Sequence, residues 1–130
     1  MALMSFREPN QVKWVGVRPA HRGTQIVKGV AANNGHTIAW TISVGKTGFL
    51  ATIILSMSGN VGEGTVYVRD AADVFQYDVM GGNLLTLAGY SPPASVSFWP
   101  PLEIPAGWDI MVYSGAIGLI VKGLVFGWEE

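Results

Sequence analysis

Apolar and polar positions alternate along most of this chain with a period of two, the repeat of a β-strand whose two faces meet different surroundings. HTIAWTISV is the cleanest case: Ile38, Trp40, Ile42 and Val44 fall on one side, with Thr37, Ala39, Thr41 and Ser43 on the other. TVYVRD points Val66 and Val68 inward and Tyr67 and Arg69 outward. Val96 and Phe98 share a side in SVSFW, as do Ile110 and Val112 in DIMVYS. VKWVGV and TQIVKGVAA carry weaker versions of the same pattern. Two longer runs, GFLATIILSMSG and IGLIVKGLVFGW, are apolar on both sides. Strands of that kind lie between two layers or against a neighbouring subunit.

No stretch argues for a long helix. The best candidate, DAADVFQYDVM from Asp70 to Met80, begins with an Asp, but its β-branched and aromatic content fits a strand or loop equally well. Seventeen glycines and seven prolines punctuate the chain at NNG, GKTG, SGNVGEG, MGGN, YSPP, WPP and IPAGW. Short strands separated by such turn signals predict an all-β fold, a single antiparallel β-sandwich of jelly-roll-like type over residues 12–130. Residues 1–11 lack alternation and contain Pro9, so they form an N-terminal arm. Such an arm is either disordered, as termini commonly are, or reaches onto a neighbour through Leu3, Met4 and Phe6.

Composition sharpens the question of neighbours. The chain is 49% hydrophobic, and only 13% of its 130 residues are charged. Soluble domains carry about 25% charged residues. Eight Lys/Arg and nine Asp/Glu leave much of the surface to Thr, Ser, Asn and Gln, or to coverage by other chains. The net charge of −1 is spread without an acidic or basic block, which argues against nucleic acid and anionic lipid as partners. With no cysteine, disulfides, thiolate metal sites and cysteine nucleophiles are excluded. MALMSFREPN has no basic segment followed by a long apolar one, so no export is expected. No apolar run approaches the roughly 20 residues of a membrane span.

Candidate chemistry is sparse. Gly45-Lys46-Thr47 is the tail of a phosphate-binding loop, but Trp40 stands where the loop needs its first glycine, and β-branched residues follow where a helix must open. VGKTGF therefore predicts a hairpin turn with Gly45 and Gly48 at φ > 0 and Lys46 and Thr47 at the tip. His21 and His36 sit in or beside loops without zinc spacing. Asp70, Asp73 and Asp78, with Glu63, lack the alternate ligand positions and bend glycine of a calcium loop and read as solvated acids. No catalytic residue, cofactor or metal ligand is assigned. Of five tryptophans, Trp40 faces the core, whereas Trp99, Trp108 and Trp128 are candidates for exposure and partner contact. Trp14 lies in the weak early strand.

The segment PPLEIPAGWDIMVYSG, followed by GLIVKGLVFGWEE, resembles the C-terminal part of small all-β virion proteins of tailed bacteriophages. In these a P-x-x-I-P-A-G turn introduces a strand, a short loop follows, and the last strand carries an aromatic near the terminus. The resemblance implies a non-enzymatic component of the virion, made in the host cytoplasm and not secreted. It would be a capsid decoration or cement protein, or a neck, tail or fibre part, often a homotrimer bound to other virion proteins. Partner contact is expected through Leu3, Phe6, Trp99, Trp108 and Trp128. The alternative is a carbohydrate-binding module, with Trp99 or Trp108 on a concave face among amides and carboxylates. A third reading, a small β-barrel enzyme of the cupin kind, needs a histidine-rich metal site.

Overall fold

The computed structural model describes residues 23–85 and 89–130. The arm at residues 1–11 with Leu3 and Phe6, the VKWVGV strand with Trp14, and His21 lie outside the described residues. Eight strands follow one another: β1 (Thr24–Asn33), β2 (Gly35–Thr41), β3 (Gly48–Gly59), β4 (Gly62–Arg69), β5 (Phe75–Leu84), β6 (Gly89–Ile104), β7 (Asp109–Ser114) and β8 (Leu119–Glu129). They form two four-stranded antiparallel sheets, a front sheet ordered β1-β8-β3-β6 and a back sheet ordered β2-β7-β4-β5. Every connection crosses between sheets except β4 to β5. This is the eight-stranded jelly roll, two Greek keys wrapped face to face.

The core lies between the sheets. Leu50, Ile53, Val121 and Val125 from the front meet Val66, Val68, Ile110 and Val112 from the back, all fully buried. Each such side chain removed from water contributes about 1.5–3 kcal/mol. Val66 and Val68 lie inward as the alternation predicts, and Val96 and Phe98 pack against the core from β6.

The pattern fails in HTIAWTISV. Pairing steps from Ile38 opposite Met111 to Trp40 opposite Ile110, so Ala39 is an extra residue, a β-bulge. Ala39 and Trp40 are both buried while Ile38 is turned outward. Val44 lies beyond the strand at a turn tip, 94% exposed. That turn is closed by the Lys46 amide donating to the Ser43 carbonyl at 3.1 Å, with Gly45 at φ 78° in its third position. A side chain there would be strained, as in any type II turn. The turn joins the back sheet to the front and is not a hairpin, and Gly48 is not at positive φ; it opens β3 against the Ile42 side chain. Thr47 is half-buried and pairs its backbone with Glu130.

The glycine and proline signals also divide. NNG, SGNVG and IPAGW are turns, but Gly81 and Gly82 lie within β5, and all four prolines of YSPP and WPP lie within β6. β6 is an edge strand, where half the backbone N–H groups have no ladder partner, so proline costs little there and blocks further pairing. The Asp70–Met80 stretch resolves into a loop and then β5. The Asp70 carboxylate accepts from the amides of Ala72 (2.8 Å) and Val74 (3.0 Å), which fixes the loop that joins β4 to β5.

Candidate functional site

With the inner faces committed to the core, any function rests on the outer faces and loop ends. On the front sheet, register places Leu124 beside Ile54 and Gly29, and Phe126 beside Thr52 and Val27. β3 and β8 are the two strands that read as apolar on both sides, and they are the two central strands of this sheet. A groove of about 480 Å³ crosses them. Ile54, Leu124 and Pro93 line it, Gly29 leaves it open for want of a side chain, and Ser56 and Lys122 supply its polar edge. Lys122 is the one charged residue among those lining it.

The back sheet presents a different outer face. His36 and Tyr113 are cross-strand partners with ring centroids 4.6 Å apart. The His36 Nδ1 and Tyr67 hydroxyl share a 2.7 Å hydrogen bond, and the two rings meet edge to face at 5.7 Å. Tyr67 in turn lies 5.8 Å from Phe75, which is 55% exposed. A diagonal strip of four rings, from β2, β7, β4 and β5, thus crosses all four strands. Partial burial pushes the Tyr67 hydroxyl above its ordinary pKa, partly offset by the neighbouring Arg69 charge.

Beside the strip runs an ionic row. The Arg69 Nε donates to Asp109 Oδ2 at 2.8 Å, and its Nη2 lies 3.3 Å from Asp73. Asp109 is buried, and Thr41 donates to its other oxygen. The bond to Asp109 holds the Arg69 guanidinium charged even more firmly than usual. Asp78, opposite Tyr67 on β5, is exposed.

A third structure closes the end of the molecule where the chain finishes. Trp40 Nε1 (2.9 Å) and the Ser43 amide (3.1 Å) both donate to Glu129 Oε2. Burial pushes the Glu129 carboxyl up, but these hydrogen bonds and the charge of Lys46 outweigh it and hold its pKa below the ordinary value. Trp128 stacks on Phe49 at 5.3 Å and is only 5% exposed. That overturns the expectation that Trp128 is an exposed aromatic: cross-strand pairing with β3 covers it. Trp108 is partly buried against the core, while Trp99 is 67% exposed on β6.

The opposite end carries apolar loop tips. Leu85 and Ile117 are 84% and 75% exposed, and Val61 lies in the neighbouring turn. Sequence reasoning did not find the four-ring strip, because its members come from four strands and only the register brings them together. The outward positions of Tyr67 and Tyr113 within alternating strands were the available signal. Among the described residues no group of three or more His, Asp or Glu stands together as a metal site, and no helix is long and apolar enough to cross a membrane. In comparison with known proteins, no family model matches the chain, and no curated protein matches it at a significant level.

Proposed function

We propose that this chain is a non-enzymatic structural subunit of a bacteriophage particle, of the decoration, cement or minor virion kind, which associates with copies of itself through the front sheet. The observation that carries the reading is the apolar groove over β3 and β8, on the outer face of a sheet whose inner face already fills the core. In the single chain Val27 is 53% exposed and Leu124 and Ile54 are half-buried; an oligomer buries the remainder at about 25 cal/mol for each Å² removed from water. A second copy is the occupant that fits best, since one apolar face with a single lining charge complements another and closed symmetry satisfies both. A trimer is the expected state. The low charge of the whole chain and the resemblance of residues 100–130 to small virion proteins support the same reading. Jelly rolls build viral shells and lectins alike, so the fold by itself favours neither.

The test is co-sedimentation with purified particles. The chain is expected in the particle fraction in stoichiometric amount, and Leu124→Asp is expected to leave it in the soluble fraction while its circular dichroism stays that of a folded β protein. A chain absent from particles, or retained there equally by Leu124→Asp, contradicts the proposal.

A further inference from the structure

We infer that the outer face of the back sheet is a carbohydrate-binding surface, on which the ring strip Tyr113–His36–Tyr67–Phe75 receives neutral pyranose units. This goes beyond the self-association assigned to the front sheet and uses none of its residues. Three features of the strip carry the inference.

The first is its continuity. Ring contacts of 4.6 Å (Tyr113–His36), 5.7 Å (His36–Tyr67) and 5.8 Å (Tyr67–Phe75) link the four side chains into one aromatic patch on the outer face. Sugar rings offer C–H faces that pack on aromatic rings. The second is preorganisation. The His36–Tyr67 hydrogen bond and the Thr41–Asp109–Arg69–Asp73 row fix these side chains before any ligand arrives, so little rotamer entropy is lost on binding. Phe75 stands out at the end of the strip, directly opposite Arg69 across the β4–β5 pairing.

The third is chemistry. The strip is bordered by groups suited to hydroxyls: the Asp78 carboxylate opposite Tyr67, the Arg69 guanidinium, and the hydroxyl and ring nitrogens of the aromatics themselves. A ligand rich in hydroxyls gives the exposed Asp78 carboxylate a donor, which an apolar peptide anchor does not. Charge narrows the class further. Asp73, Asp78 and Asp109 outnumber Arg69, so the face repels phosphate, sulfate and sialic acid, and neutral or amino sugars remain. Trp99 and Trp108, the aromatics first suggested for a sugar, are not members of this strip.

The probe is an array of neutral, amino and sialylated oligosaccharides, followed by NMR titration with the methyl glycosides of the best responders. Neutral or amino sugars are expected to bind, and sialylated ones not. Phe75→Ala is expected to weaken binding at least tenfold, and Tyr67→Phe, which keeps the ring and removes the hydroxyl, by a smaller factor. Phe75 is exposed on an edge strand, so its removal leaves the fold intact, as a thermal melt verifies. Leu124→Asp, on the opposite sheet, is expected to bind the same glycosides unchanged, which separates this surface from the self-association surface. Absence of any response from array and millimolar glycosides, a preference for sialylated ligands, or full binding by Phe75→Ala overturns the inference. So does loss of binding in Trp99→Ala with Phe75→Ala unaffected.

Discussion

The two sheets of this jelly roll share one core but turn opposite chemistry outward. The front sheet carries on its outer side an apolar groove, with Leu124, Ile54 and Phe126 beside small residues and Lys122, flanked by the hydrogen-bonded hydroxyls of Thr52 and Ser97. The back sheet covers its outer side with interlocked rings and an ionic row in which nearly every polar atom is already directed. Apolar surface without directed polar groups gains by being covered, whatever precise shape covers it. Rings held by hydrogen bonds, with carboxylates alongside, select a ligand that offers both an apolar face and hydroxyls. This difference is why we propose association for one sheet and recognition for the other.

The largest expected effect is on the front face. Leu124→Asp replaces a leucine of the proposed interface by a charge that must be desolvated, and self-association should weaken by about a hundredfold or more, read by sedimentation velocity. The equivalent insult to the back face, Phe75→Ala, should leave the association constant unchanged. Equal loss from both would erase the distinction between the sheets.

Next comes packing beneath the two faces. Gly127 lies where an added Cβ would strike the Phe49 carbonyl oxygen and crowd the Trp40 ring. Gly127→Ala should cost about 3 kcal/mol in urea denaturation, as overpacking does. Gly35→Ala, where a Cβ meets nothing within 4 Å, should fall within about 0.5 kcal/mol of the parent.

The ionic row of the back sheet follows. Asp109→Ala leaves Arg69 without its main acceptor and Thr41 without its partner, and should cost about 2 kcal/mol, read as a lower denaturation midpoint. Its front-sheet counterpart, Lys122→Ala, removes an exposed charge that belongs to no such row among the described residues and should be near neutral.

The smallest effect concerns pH. Glu129 titrates below its ordinary value in the folded protein, so its contribution to stability is complete above the usual glutamate range. It is lost as pH falls through that range to the lower native value. Denaturation midpoints measured downward from neutral pH should therefore decline in acid, and Glu129→Gln, which retains an acceptor for Trp40, should make that decline shallower. An unchanged slope would remove Glu129 from the account of the chain's closing end.

Much of the fold is legible in the residues themselves. Val66 and Val68, Ile110 and Val112, and the two-sided apolar runs of β3 and β8 declare strands and their buried faces directly, because a period of two maps onto a pleated surface. The bulge at Ala39 is not legible, since one inserted residue reverses every assignment before it while leaving the local pattern intact. The prolines of β6 mislead for a related reason: whether a proline ends a strand or edges a sheet depends on which strands lie beside it. Trp128 looked exposed by its place near the chain end, and only pairing with β3 shows it stacked on Phe49. The front groove was half visible in sequence as unexplained apolar residues; the back strip was nearly invisible, because no local pattern ties His36 to Phe75.

If copies of the same chain cover the front sheet, as we propose, sedimentation equilibrium of the purified protein across a wide concentration range will show it. The expected mass rises to a small integral multiple of 13.9 kDa, with three copies expected, and reverts to a single chain in Leu124→Asp. A mass of one chain at every concentration, in parent and variant alike, would contradict it.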